Sequence, residues 1–357
     1  MIAATTDRPK AMLMHPVIWH SDSGQMQPVT IDLCSGMGGL SLAAMVLGLR
    51  VAVGVDTSEA SMLSFSRNFI NAKAVTGSVR SKKVLAECQR AVAPYLDSGS
   101  PLIIVSGPPC QGFSAAGSRN PTDVRNQILC SVARAIVHLQ PVCALIENVA
   151  ALLTPPHEHR LAHMKRILTG GGYRVTNVLL DAADYGAAQR RRRAFFLITR
   201  QPLDTEALNR QLACAKVVPP TVADVLADLP TPDVRPDVVS EDIDDLSLPN
   251  HLAMKHSPRV IAKISAIKPG TGPMSYRRLH PDRISNTLFS GHRAPPAHYC
   301  EPRSITVREA ARLQGFPDTF RIYGTFAAQM QQVTNAVPLP LGVTALKVLL
   351  GSLGGDE

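Results

Sequence analysis

The 357-residue sequence predicts an α/β fold, an open and largely parallel sheet covered on both faces, with a second, smaller and irregular domain. Three observations carry this. Short, apolar, β-branched runs (Val29 to Leu33, Val51 to Val55, Leu102 to Val105 and Val142 to Ile146) recur between helical patterns, as strands buried on both faces do. The first run ends in the glycine turn Gly36-Met37-Gly38-Gly39. Asp56, Cys110 and Glu147 each stand at or just past the end of a strand, the edge at which open α/β sheets place their ligands.

Composition narrows the class. Lys and Arg number 37 against 28 Asp and Glu, a formal charge of +9, and Arg190 to Arg193 are consecutive, so a polyanionic partner is expected. The seven cysteines are odd in number and contain no C-x-x-C spacing, which argues against a disulfide scaffold and zinc ligation and for a reducing compartment. From Gly36 to Val55 the only charge is Arg50; its position and the glycines favour a helix followed by a strand over a membrane span. Residues 1–27 read as an N-terminal extension without a signal-peptide core.

In chain order, Val29 to Leu33, the glycine turn and the helical pattern Leu40 to Leu47 form a nucleotide-type cradle, where absent side chains let a ligand approach backbone near a helix N-terminus. Ser41 replaces the third glycine of the dinucleotide fingerprint, which disfavours NAD. Asp56, ending the second strand, suits ribose hydroxyls and can equally cap the helix begun by Asp56-Thr57-Ser58-Glu59. Leu102 to Val105 is stopped by Gly107-Pro108-Pro109, and Cys110 follows with no apolar periodicity around it, so its surroundings encode chemistry rather than core. Ala115 to Asp123 is a small, polar loop, and a helix runs from Val124 to Leu139. Glu147-Asn148-Val149 ends the strand Val142 to Ile146. Strands at Tyr173 to Leu180 and Ala194 to Thr199 flank the arginine run, whose like charges repel unless an anion neutralises them. From Gln201 to about Asn286, prolines and the acidic stretch 241–245 mark a separate domain. Thr306 with Glu309 opens a capped helix closed by Gly315 and Pro317, and a last helix, Leu341 to Leu350, is expected to return to the first domain.

Gly107-Pro108-Pro109-Cys110-Gln111-Gly112-Phe113-Ser114 resembles the catalytic motif of the bacterial-type DNA (cytosine-5) methyltransferases, and further motifs of that family recur in order over roughly residues 28 to 350. The resemblance implies a Rossmann-like class I methyltransferase sheet in residues 28–200, completed by 328–357. Residues 201–327 would hold the target-recognition domain and its connection. It further implies transfer of a methyl group from S-adenosyl-L-methionine to C5 of a flipped-out cytosine in a specific duplex sequence, through a covalent adduct between Cys110 and C6. Cytosine C5 is a poor nucleophile, so a thiolate must add to C6 first, and a carboxyl at N3 must stabilise the product of that addition.

Residue by residue, the resemblance makes Cys110 the nucleophile and Glu147 the group at N3. The motif Gln189-x-Arg191-x-Arg193 adds Arg191 and Arg193 to the catalytic set, with Arg193 bonding the cytosine O2 and positioning Glu147. Cofactor contacts are expected from Cys34, Gly36, Met37, Gly38, Gly39, Asp56, Thr57, Ser78, Val79, Pro108 and Asn335. DNA contacts are expected from Gln111, Ser114, Arg125, Arg277, Arg278 and Thr287; no metal is implied. The sequence departs from the family pattern where Cys34 replaces a phenylalanine, Ser78 an aspartate and Thr334 a glycine. Arg308, Glu309 and Arg312 fall in a structural motif and are expected in internal ion pairs. The implied partners are double-stranded DNA and a cognate restriction endonuclease, for a monomer without membrane attachment in the bacterial cytoplasm, at the nucleoid. Two alternatives stand beside this reading: a tRNA cytosine-5 methyltransferase of the same fold, whose Cys-Phe-Thr signature is missing here, and a non-catalytic DNA-binding relative.

Overall fold

The computed structural model describes residues 26–109, 127–235, 246–273, 276–289 and 295–353. Strands β1 (Val29–Leu33), β2 (Arg50–Asp56), β3 (Lys73–Thr76), β4 (Leu102–Ser106), β5 (Cys143–Val149), β6 (Arg174–Asp181) and β7 (Arg192–Thr199) form one sheet in the order β3-β2-β1-β4-β5-β7-β6. All pairings are parallel except those of β7, which runs antiparallel to both β5 and β6. This is the Rossmann-like sheet that the alternation of apolar runs and helices predicts.

Strand residues divide by period two between two cores. Ile103, Val105, Leu145, Phe195 and Leu197 point to one face, where they meet α1 (Gly39–Val46), α2 (Glu59–Asn68), α10 (Phe326–Asn335) and α11 (Leu339–Gly351). Ile104, Ala144, Ile146, Phe196 and Ile198 point to the other, against α3 (Lys82–Asp97), α4 (Ile128–Leu139) and α5 (Glu158–Gly170). Both faces being covered explains why the strands lack polar alternation. The stretch from Gly36 to Val55 is indeed a helix followed by a strand.

The first core also takes in Leu208 and Leu212 of α6 (Thr205–Cys214), Val222 and Leu226 of α7 (Val222–Leu226), and Val307 and Leu313 of α9 (Val307–Leu313). Segments that the proline-rich composition sets apart from the sheet therefore share its core. More irregular structure lies between them: a short parallel pair, β8 (Asp233–Arg235) with β9 (Leu252–Met254), and the helix α8 (Pro258–Ser265). This region is stitched to the start of β7, where the Ser285 N–H donates to the Ala188 carbonyl and the Arg190 N–H to the Ser285 carbonyl, both at 2.8 Å.

The expected internal ion pairs are present around α9. Thr306 and Glu309 form a reciprocal capping box, and the Glu309 carboxylate also accepts from Arg303. Arg312 pairs with Asp318 and Asp228. Arg308 is fully buried, with its guanidinium donating to the carbonyls of Pro249, Pro317 and Phe320. One side chain thus satisfies three carbonyls from two separate loops.

At the other end of the fold, Ser41 in α1 donates to Asp32 Oδ2 at 2.7 Å, tying that helix to β1. Burial pushes the Asp32 carboxyl up from 3.8 to about 7, with the Ser41 bond opposing, while Oδ1 has no hydrogen-bond partner among the described residues.

Two outcomes are expected. Arg308→Met, which leaves these carbonyls without donors, should cost about 3 kcal/mol or more in urea unfolding; a change near zero would contradict the role. A raised carboxyl pKa in the folded state stabilises at acid pH, and that contribution is lost as pH rises toward about 7. The wild type should therefore lose stability relative to Asp32→Asn between about pH 4 and about pH 7, and parallel pH profiles of the two would show that no buried proton is held there.

Candidate active site

The carboxyl ends of β1, β2 and β3 are joined into one rim. The Ser35 N–H donates to the Val55 carbonyl at 2.9 Å and the Gly77 N–H to the Asp56 carbonyl at 2.8 Å. The Asp56 carboxylate accepts the Gly36 N–H through Oδ2 and the Ser58 N–H through Oδ1, both at 2.9 Å, so it fixes the glycine turn and the turn that leads into α2. The cap expected at Asp56 falls instead to Ser58, whose hydroxyl accepts the Ser61 N–H. Gly36 has φ +54°, and a Cβ there would meet nothing within 4 Å, so the backbone faces open space. A Cβ on Gly39 would lie 3.0 Å from the Val337 carbonyl oxygen, which shows how closely the segment after α10 seals this rim.

The other expected cofactor residues divide by exposure. Met37 and Val79 are buried in the two cores, whereas Thr57 and Asn335 are exposed. Ser78 accepts the Arg80 N–H at 3.3 Å, a local turn bond. Cys34 sits at φ +61°, and burial, with Asp56 and Asp32 nearby, drives its thiol pKa upward, so it stays protonated. That separates it from any nucleophilic role. The residues present fit an adenosyl cofactor: a side-chain-free turn beside a strand end, a carboxylate at the next strand and a buried, unpartnered carboxyl oxygen on Asp32.

Glu147 and Arg193 form the second half of the site. The sequence places Glu147 after a strand; in the structure it lies within β5, because pairing with β7 extends the ladder to Val149 opposite Arg193. Glu147 lies opposite Phe195, so Arg193 is its diagonal neighbour on the same face. Arg193 Nε meets Glu147 Oε1 at 2.8 Å. Burial raises the Glu147 pKa, while Arg193 and then Arg191 pull it down.

The segment approaching Cys110 lies against this carboxyl. A Cβ on Gly107 would be 3.6 Å from Glu147 Oε2 and 3.9 Å from the Cys34 carbonyl, and the Pro108 carbonyl accepts from Asn148 Nδ2 at 3.2 Å. Asn148 is a positioning residue that sequence reasoning missed as such. Its only signal is its place one residue after Glu147. Cys110 itself, with Gln111, Ser114 and Arg125, lies outside the described residues.

The arginine run alternates as a strand should: Arg190 and Arg192 are exposed, Arg191 is buried and Arg193 nearly so. Arg191 does not simply join Arg193. Its Nη2 donates to the Thr334 carbonyl at 2.8 Å and the Ala336 carbonyl at 3.2 Å, so it clamps the chain before α11. Gln189 is fully buried, and both polar atoms of its side chain lack partners among the described residues.

Two expected DNA contacts are otherwise engaged. Arg278 donates to the carbonyls of His298, Ile267 and Cys300 at 3.1, 3.0 and 2.8 Å, because a loop without a ladder must satisfy its carbonyls by side chain. The Thr287 hydroxyl donates to the Arg190 carbonyl at 2.7 Å. Arg277 is exposed.

Comparisons with known proteins agree with this geometry. The family model for C-5 cytosine-specific DNA methylase matches residues 29–350. The Type II methyltransferase M.XorII of Xanthomonas oryzae pv. oryzae is 30% identical, the match covering 87% of this chain and 82% of that protein. The Type II methyltransferase M1.HphI of Haemophilus parahaemolyticus is also 30% identical, over 92% of this chain and 87% of its own. Among solved structures, one described as a DNA modification methyltransferase encoded within an E. coli prophage superimposes with a TM-score of 0.76 at 27% identity, covering 92% of this chain and 99% of that one. With its glycine turn, its acidic strand ends and its Glu147–Arg193 pair on one sheet edge, this chain belongs to the C-5 cytosine-specific DNA methylase family and is a DNA cytosine-5 methyltransferase.

Proposed function

We propose that the protein methylates C5 of a cytosine extruded from a specific duplex sequence, with S-adenosylmethionine as donor and Cys110 as nucleophile. The observation that carries this reading is the buried Glu147–Arg193 pair at 2.8 Å, set beside Gly107 and so three residues upstream of Cys110. A carboxyl and a thiol serving one pyrimidine ring explain why both strand ends carry chemistry. Extrusion follows because C6 and N3 are out of reach in a stacked, paired base.

The Cys110 thiolate adds to C6, forming a carbon–sulfur bond and moving an electron pair toward N3. Glu147, with its pKa raised by burial, hydrogen-bonds N3 in protonated form, and Arg193 holds the carboxyl in place and reaches the cytosine O2. When bound, S-adenosylmethionine supplies the electrophilic methyl group that the activated C5 accepts. Loss of the C5 proton to water and departure of Cys110 restore the aromatic ring and the free thiolate. Cofactor binding falls to the Gly36–Gly39 backbone and Cys34, with Asp56 on the ribose and Thr57, Ser78, Val79, Pro108 and Asn335 around it. Arg191 positions the segment containing Asn335 rather than touching the base. Gln111, Ser114, Arg125 and Arg277 remain the proposed DNA contacts, while Arg278 and Thr287 shape the recognition region.

The names of the relatives, Type II methyltransferases, support a role in restriction-modification with a cognate endonuclease, acting on chromosomal DNA in the bacterial cytoplasm. Residues 201–327 are proposed to choose the sequence. A tRNA substrate or a purely DNA-binding role would show itself in the same assay.

Purified protein incubated with methyl-labelled S-adenosylmethionine should label duplex DNA at C5. Label in tRNA alone, or DNA binding without transfer, would favour one of the alternatives. Cys110→Ser should abolish transfer while DNA binding persists, and Glu147→Gln should lower kcat by about 10²–10⁴. Full activity in either variant would sink its assignment. Because Arg193 lowers the Glu147 pKa, Arg193→Met should raise it and move the alkaline limb of the rate profile to higher pH; a shift the other way would contradict the protonated role.

A further inference from the structure

A second cluster of ligating side chains lies away from the sheet edge, in the loop between Ala297 and Ser304, which bridge each other, just before α9. His298 is buried, Cys300 exposed and Glu301 half-exposed, and one ligating atom from each lies within 4.8 Å of the others. His298 Nδ1 is 3.5 Å from Cys300 Sγ and 3.9 Å from Glu301 Oε1. Ligand atoms around a tetrahedral ion with bonds of about 2.0–2.3 Å stand roughly 3.3–3.8 Å apart, so small side-chain adjustments suffice.

The surroundings are those of a prepared site. His298 Nε2 faces Glu309 Oε1 at 3.6 Å, and that carboxylate is 1% exposed. That carboxylate stands beyond hydrogen-bond distance of the ring, yet its charge favours the proton on Nε2 and hence a lone pair on Nδ1. The near nitrogen, Nδ1, accordingly faces two donors, the Glu301 N–H at 3.2 Å and the Cys300 N–H at 3.5 Å. Arg303 orients the Glu301 carboxylate through both oxygens, with Nε 2.9 Å from Oε2 and Nη2 3.2 Å from Oε1, and a metal would compete with the second of these bonds. Arg278, bonded to the carbonyls of His298 and Cys300, holds the loop backbone.

We propose that His298, Cys300 and Glu301 bind a divalent transition ion of the zinc class, with water in the fourth position. Imidazole, thiolate and carboxylate together select such an ion over magnesium or calcium, which take oxygen ligands. Coordination displaces the Cys300 thiol proton to solvent, and the metal replaces the Cys300 and Glu301 N–H groups as partner of Nδ1, releasing both to water. The absence of C-x-x-C spacing made the sequence argue against zinc; this site needs one cysteine only, with its other ligands at the second position before it and the next after it. The bound ion would brace the loop that joins the recognition region to α9. The inference does not depend on how Cys110 and Glu147 act.

The test uses the full chain, freed of metal with a chelator and titrated with Co²⁺ alone. A stoichiometric thiolate-to-cobalt charge-transfer band is expected. It should vanish in Cys300→Ser, persist in Cys214→Ser, which alters the other exposed cysteine among the described residues, and require about tenfold or more Co²⁺ in Glu301→Gln. No band in the wild type, or an unchanged band and affinity in Cys300→Ser, would overturn the proposal.

Discussion

The direction of β7 is the constraint on which the site depends. In a purely parallel sheet, residues that begin a strand lie at the opposite edge from those that end its neighbour. Because β7 runs antiparallel between β5 and β6, its first residues fall at the edge where β5 ends, and the register Val149 opposite Arg193 makes Glu147 and Arg193 diagonal neighbours on one face. A buried carboxylate without a partner would be costly, and Arg193 relieves that cost while leaving burial to raise the carboxyl pKa.

The same stretch of chain has a second task. Ala188 and Arg190 exchange backbone hydrogen bonds with Ser285, so the irregular region is fastened three residues before Arg193. Arg191, between them, clamps the carbonyls of Thr334 and Ala336 and thereby the segment that seals the glycine turn through Gly39 and Val337. The glycine-turn rim, the Glu147–Arg193 pair and the irregular region thus converge on residues 188–193. A shift in the β7 register would disturb all three together.

Much of this was legible beforehand, and the reasons are physical. The strands were readable because burial on both faces leaves long β-branched runs, and Asp56, Cys110 and Glu147 stood out because polar residues directly after such runs mark a ligand edge. The division of labour within Arg190 to Arg193 was not readable, since it depends on strand pleat and on what lies across from each side chain. Arg278 illustrates the same limit: from sequence it is one of two adjacent arginines suited to phosphate, and only the structure shows that Nε, Nη1 and Nη2 each also hold a loop carbonyl. Asn148 and the Asp32 carboxyl were likewise hidden, because their roles arise from strand-to-loop and strand-to-helix contacts rather than local pattern.

The claim that the sheet edge brings a thiol and a carboxyl to one pyrimidine is tested most directly by trapping. A duplex whose target cytosine carries fluorine at C5 cannot lose a proton there, so the thiol adduct should persist after methyl transfer. Mass spectrometry of the digested complex should find the modified base on Cys110 and on no other cysteine. An adduct on a different cysteine, or intact binding of the fluorinated duplex with cofactor and no adduct at all, would contradict it.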